Sequence, residues 1–443
     1  VRIRFSFVAL VAVALVAIAA LVAWPRYAEN SANSARAAAL PTMAPVTPDY
    51  LQRDKLVAFW ERATDEHHPG DMISPQMLAQ QYLQRYRERY DVDDVLRAAR
   101  ATAESIRAQP SGNMAADLEL ASIQLTLHKF SDALATTKFI ESWDANDPSM
   151  YPREASLELE IGDYATAAKR LAQVPERNRD DEWSVVDSRY LEMTGHLAEA
   201  RERLATTSAY QNSNFDAPAQ QRAWYFFRQG EMAFEAGDND GAVAFEREAL
   251  KVFPNEADAG RTLARIECSL HQWAACLTDA SHSAAIVPYP ETLGYEADAQ
   301  RALGYNAAAA QTDDLIDAVE RLGDAYHITD RLTAVYYSEH DTHLAAAYAI
   351  ARNELRSRDD VLTEDTLAWA AAMDGRWNEA RTAIAKARRW HTQNSLIDYH
   401  AGVIAQHFGN AVEAKADFNE ALGLNPYFHP AYADDARRRV ATL

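Results

Sequence analysis

Two hydrophobic patterns divide the chain. From Phe5 to Trp24 every side chain except Ser6 is apolar. As a helix these residues rise about 30 Å, the thickness of a bilayer core. Arg2 and Arg4 precede the run, Arg26 follows it, and Trp24 and Tyr27 stand where interfacial aromatics would. The basic flank predicts a cytoplasmic N-terminus, with everything after Trp24 carried across. Two readings are open: an uncleaved anchor, or a signal peptide cut at Ala35-Arg36-Ala37, well beyond the apolar run. Residues 25–50 are rich in Ala, Ser, Asn and Pro and have no apolar period, which predicts a flexible spacer.

From residue 51 the pattern turns amphipathic. Stretches near 51–66, 75–89 and 92–109 read as helices, either an N-terminal cap or a decayed repeat. Beyond them, from 111 to 430, Ala-rich amphipathic stretches come in pairs, each pair joined at one residue. That residue is Gly162, Gly195, Gly237, Gly304, Gly375 or Gly409, with His128, His271 and His340 completing the register. Spacings run from 33 to 36, except for 42 between Gly195 and Gly237. Seven positions before the turns stand Ala121, Ala155, Ser188, Gly230, Ala264, Ala297, Thr333, Ala368 and Gly402. Five positions after them stand Ala133, Ala167, Ala200, Ala242, Cys276, Ala309, Ala345, Ala380 and Ala414. Every one is small, so the two helices of each pair can approach closely.

This pattern resembles the tetratricopeptide repeat (TPR), a helix–turn–helix unit of about 34 residues. Arg228 to Ala242, continuing through Ala249 to Pro254, carries the resemblance well. So does Ala401-Gly402 with Gly409, Ala414, Phe418, Ala421 and Pro426. The resemblance implies an all-α, right-handed superhelical solenoid of about nine repeats with an extended concave groove. It also implies a protein that binds peptides or helices of partner proteins. Residues 431–443, with Arg437, Arg438 and Arg439, read as the helix that solvates the far end. The extra residues of the 42-residue spacing fall most easily in a loop at 206–218.

The chain carries a formal charge of −21. Nucleic-acid binding needs phosphate neutralisation by Lys and Arg, so this balance argues against it. Gly-rich phosphate cradles are absent, as are the HExxH, GxSxG and SxxK signatures. No catalytic, cofactor-binding or metal-binding residue is assigned, and no cofactor is expected. His340 with His343, Glu339 and Asp341 looks like a ligand cluster, but His340 fits better as a left-handed turn residue. His67-His68 reads as turn sequence, His400 and His407 as groove or surface positions, and Asp238-Asn239-Asp240-Gly241 as a repeat turn rather than a calcium loop. Cys268 lies a full turn closer to the loop than Ala264, the residue that packs against Cys276. The expectation is two unpaired, partly buried thiols.

In a TPR unit the residues ten, six and three before the turn face the groove. Arg261, Arg265 and Cys268 then line it, with Asp298 and Arg301 from the next unit and Arg331 beyond. Arg261, Arg265, Arg301 and Arg331 are thus the candidate groove residues, suited to an acidic segment of a partner. The competing reading is internal pairing with Asp258, Glu267, Glu291 and Asp298, the usual fate of surface arginine. The basic clamp of some TPR co-chaperones is only loosely similar, since Arg265 and Tyr295 stand where its Asn residues would fall. The functional expectation is a non-enzymatic scaffold or assembly protein, anchored in the cytoplasmic membrane with its body outside, or exported. A permanent structural subunit of an envelope complex and an enzyme with a dispersed site are the alternatives.

Overall fold

The computed structural model describes residues 48–66, 70–144, 147–214, 216–326 and 331–443. The chain divides into two units, Val1–Pro48 and Asp49–Leu443. The Phe5–Trp24 segment, the spacer up to residue 47 and the His67-His68 pair lie outside the described residues.

The second unit is an all-α solenoid of TPR-type hairpins. Three helices begin it: α1 (Arg53–Asp65), α2 (Ile73–Arg89) and α3 (Val92–Ala108). Helices α2 and α3 also form a hairpin, turning at Tyr90 with φ 59° and burying Leu83 and Val95 where later repeats have small residues. The hairpins that follow are α4 (Met114–Thr126) with α5 (Phe130–Glu141), α6 (Tyr151–Glu160) with α7 (Tyr164–Gln173), and α8 (Asp181–Met193) with α9 (Leu197–Ser213). Next come α10 (Ala219–Glu235) with α11 (Asn239–Val252), α12 (Ala257–Ser269) with α13 (Trp273–Ile286), and α14 (Pro290–Ala302) with α15 (Asn306–Tyr326). The last are α16 (Arg331–Glu339) with α17 (Leu344–Glu354), α18 (Val361–Met373) with α19 (Trp377–Ala387), and α20 (Ser395–His407) with α21 (Ala411–Leu424). A single helix, α22 (Tyr432–Thr442), follows them.

The predicted turn residues take the left-handed conformation that lets one helix stop and the next begin, from Gly162 at φ 87° to His128 at 54° and His271 at 56°. One hairpin departs from the register. Between α16 and α17 the left-handed residues are Asp341 and His343, not His340. The longer turn shifts the packing, so Ala334 and Ala347 are fully buried and Ala345 is exposed. Asp and His tolerate positive φ better than most residues, which is why the motif His340-Asp-Thr-His343 allows more than one register.

The extra residues near 206–218 are mostly not a loop. They lengthen α9 to Ser213, bury Thr207 and Ser208, and let Gln229 of α10 donate to the Ser208 hydroxyl at 2.8 Å.

The cysteine expectation fails. Cys268 and Cys276 form a disulfide, with Cα atoms 5.2 Å apart. Both are fully buried with Ala264 and Ala280 between α12 and α13. The two small columns bring the helices close enough near their turn for the residue one turn nearer the loop to reach across.

The solenoid also meets itself. The turn at Gly162 packs on Asp359, where the chain leads into the hairpin six units later, and Val361 N donates to the buried Tyr164 hydroxyl at 3.1 Å. Gly195 repeats this against His391, with Thr392 Oγ1 donating to the Met193 carbonyl. Gly237 meets Leu424, and Asn425 Nδ2 donates to the Phe234 carbonyl at 2.7 Å. His271 Nε2 lies 3.1 Å from the Pro430 carbonyl oxygen. One continuous apolar core joins Tyr164, Trp183 and Met193 to Trp369, Tyr399 and Phe418. These contacts join hairpins six units apart, so the inner faces of the extended concave groove surround a central space.

Candidate functional site

The first helices of all nine hairpins from α4 to α20 contribute to a central cavity of about 680 Å³. Pockets of roughly 300–1,000 Å³ are the usual size for small ligands or short segments. The wall is polar and charged, with Trp224, Phe227, Tyr295 and Trp369 set between the charges.

Three of the four candidate arginines reach this cavity: Arg261 and Arg265 on α12 and Arg331 on α16. Arg301 does not line it. It is partly exposed, and donates to Asp313 at 2.6 Å and to Asp298 at 3.0 Å. Cys268, three before its turn, is held in the disulfide instead. The positions ten and six before the His271 turn face inward as expected, and the resemblance missed two more. Thirteen before the turns stand Asp258 and Glu291, and two before them stand Glu160 and Glu235, all on the wall.

These extra positions carry the partners. Arg261 donates to Asp258 at 3.2 Å and to Glu291 at 3.0 Å, while Arg265 pairs with Glu235 at 3.3 Å. Arg228 bridges Glu192 at 2.7 Å and also Glu231, and Arg189 meets Glu192 at 2.8 Å. Arg358 pairs with Glu160 at 2.5 Å and with Asp360. Of the competing partners named above, Asp258, Glu291 and Asp298 take candidate arginines, whereas Glu267 pairs with Arg247. Arg331 is the one wall arginine for which the described residues supply no carboxylate within salt-bridge distance.

The pairs set the protonation. Burial alone would raise the Glu291 carboxyl, but Arg261 and Arg265 outweigh it and hold it below the ordinary range. Arg228 and Arg189 do the same for Glu192 against its burial. At Glu235 burial wins over Arg265, and its carboxyl is raised. In total the wall holds six arginines and nine carboxylates, so the basic groove expected from the arginine column is net acidic.

Two buried side-chain nitrogens on this wall have no hydrogen-bond partner among the described residues, Arg261 Nε and His400 Nε2. His400 on α20 is 4 % exposed, and its Nδ1 lies 2.9 Å from Asp365 on α18. Its ring stacks on Trp369 at 4.3 Å, while Nε2 is buried with no hydrogen-bond partner among the described residues. His407, expected on the same face, instead stacks on Trp377 at 3.7 Å.

His340 belongs to a separate contact, its Nε2 3.1 Å from Asp298 on α14. Burial lowers the ring's affinity for a proton, but Asp298 more than restores it. Asp238 accepts from Gly241 N at 3.1 Å as a helix cap. Among the described residues no group of three or more His, Cys, Asp or Glu is arranged to hold a metal ion.

No protein-family model matches the chain, and no curated protein matches it. Solved structures do. Yeast Tom70 is similar over 88 % of this chain and 93 % of its own, with 12 % identity and a TM-score of 0.33. A tetratricopeptide repeat protein from Parabacteroides merdae is similar over 59 % of this chain and 98 % of its own, with 16 % identity and a TM-score of 0.31. The human IFIT1 dimer with m7Gppp-AAAA is similar over 78 % of this chain and 96 % of its own, with 12 % identity and a TM-score of 0.41. At these values the likenesses carry no argument about what this chain binds.

Proposed function

We propose that this protein is a non-enzymatic scaffold or assembly factor that holds a segment of a partner protein in its central cavity, on the outer side of a membrane. The observation that carries the binding role is the cavity itself. The nine hairpins from α4 to α21 contribute their first helices to it, and a buried ring nitrogen on its wall has no hydrogen-bond partner among the described residues. Solenoids use their inner surface in this way. The location rests on Phe5–Trp24 with its basic flank. The Cys268–Cys276 disulfide is consistent with an oxidising compartment. Among the described residues no helix is long and apolar enough to cross a membrane.

The test of the binding role is a photo-crosslinking side chain placed at Val335, on the wall, or at Val412, 88 % exposed on α21. Crosslinking in intact cells should yield a protein adduct from position 335 and none from position 412. Adducts from 412 alone would remove the cavity from the account. The location is tested by protease added outside the membrane, which should digest the body, and by alkaline extraction, which should leave the full chain with the membrane. A body shielded from that protease would overturn the location.

A further inference from the structure

We infer that the end of the cavity formed by α16, α18 and α20 is a subsite for an alkylammonium or guanidinium group. The source would be a lysine or arginine side chain of a bound segment, or a free polyamine. The inference rests on the binding role proposed for the cavity and names the chemistry of its occupant.

Three observations converge. First, the wall carries three more carboxylates than arginines, and the surplus is uneven. Around α10 and α12 each arginine has its carboxylate. On α16 and α18, the ion-pair partners that the described residues give Glu339 and Asp365 are histidines, His429 at 3.6 Å and His400 at 2.9 Å, with Arg265 acting on Glu339 from beyond salt-bridge distance. Second, His400 Nε2 is buried and has no hydrogen-bond partner among the described residues. In the neutral ring, Nδ1–H donates to Asp365, which leaves Nε2 as a lone-pair acceptor on the wall. An N–H donor satisfies it. Third, Trp369 stacks on that ring, and the Asp365 and His400 side chains are largely removed from water, where a charge pair is screened little.

Arg331 is the counter-argument on the wall, since it too lacks a carboxylate within salt-bridge distance among the described residues. It also makes the inference decidable. A cation at this end is repelled by Arg331, whereas an anion needs it.

The purified chain is titrated calorimetrically with pentalysine, spermidine and pentaglutamate, at low salt and at 0.15 M salt. Pentalysine or spermidine should bind saturably, and pentaglutamate should not. Whichever of the two binds more tightly identifies the source as a polypeptide or a small amine. Asp365→Asn should weaken cation binding about tenfold or more, the scale of a lost charge-assisted contact. Arg331→Gln should tighten it. Glu339→Gln serves as the second carboxylate variant should Asp365→Asn fail to fold by circular dichroism.

Binding of pentaglutamate that Arg331→Gln abolishes would overturn the inference in favour of an anion site. Cation binding that ignores all three substitutions would reduce it to general attraction by the acidic chain. If the crosslink from position 335 persists while neither cation binds, the subsite falls and the cavity reading stands. Loss of that crosslink removes the cavity reading itself.

Discussion

Closure of the solenoid is tested most cleanly by two glycines that look alike in sequence. Gly162 and Gly375 both occupy hairpin turns with positive φ, 87° and 77°. An alanine at either position pays the left-handed strain of an L-residue, about 1–2 kcal/mol. At Gly375 that is the whole cost, since an added Cβ meets nothing within 4 Å. At Gly162 the Cβ would lie 1.9 Å from the Asp359 carbonyl oxygen and 2.5 Å from its carbon. Both are backbone atoms, so no side chain can swing aside and the seam itself must move. Overpacking of this kind adds about 1–3 kcal/mol. Gly162→Ala should therefore lose about 1–3 kcal/mol more than Gly375→Ala in urea denaturation. The local readout is hydrogen exchange at Val361, whose amide donates across the seam to the Tyr164 hydroxyl. Protection there should fall in Gly162→Ala and hold in Gly375→Ala. Equal stability losses with unchanged exchange would mean that the seam is not closed in solution.

Three further predictions follow from the core. Glu246 is fully buried against Gly230, in the column where Phe418 packs on Gly402, and neither carboxyl oxygen has a hydrogen-bond partner among the described residues. Burial, reinforced by Glu231, holds its pKa well above the ordinary range, and burial raises Glu256 to about 8 and Asp398 to about 7. The fold thus keeps protons that the unfolded chain releases above about pH 4.5, and stability should fall by about 1.4 kcal/mol per pH unit per such group until its folded pKa is passed. Glu246→Leu should flatten the slope between pH 5 and 7 by one group's share, and an unchanged slope would contradict a protonated Glu246. Ala414 is fully buried and Ala416 exposed, so Ala414→Leu should cost about 1–3 kcal/mol and Ala416→Leu almost nothing; equal melting temperatures would mean the register is misplaced. Unfolded without reductant, the protein should take up no iodoacetamide at Cys268 or Cys276, and two adducts by mass would refute the disulfide.

What was legible in sequence was what is local. A hairpin needs a residue at positive φ and two small residues facing each other, and both demands recur once per repeat, so they leave a period. The register slipped only between α16 and α17, where Asp341 and His343 share the turn. Features that depend on two distant segments left no such trace. Nothing near Gly162 marks it as pressed against Asp359, because its φ alone already requires glycine, just as at Gly375. The disulfide was misjudged for a related reason. Column spacing fixes which residues face each other, but not how far the two axes converge toward the turn.

The charge on the wall shows why closure matters for function. On an open groove, arginines at Arg261 and Arg265 would be free to exchange a carboxylate of the fold for one of a partner, since exposed pairs are worth little. Wrapped inside, the same side chains are largely removed from water, and breaking a buried pair by taking away one partner costs about 3–5 kcal/mol. At Arg261 or Arg265 an acidic segment would have to displace Glu291 or Glu235, leaving a carboxylate unpaired inside a wall that is already net negative, and only at Arg331, to which the described residues bring no carboxylate within salt-bridge distance, would it avoid that cost. A cationic group displaces no arginine pair, and it adds a donor for His400 Nε2 and a further counter-charge for Asp365 and Glu339 beside their histidines. On the inference drawn above, the paired Arg261 and Arg265 are the structural half of the cavity, and the end bearing the two histidine-held carboxylates is the half that takes the cation.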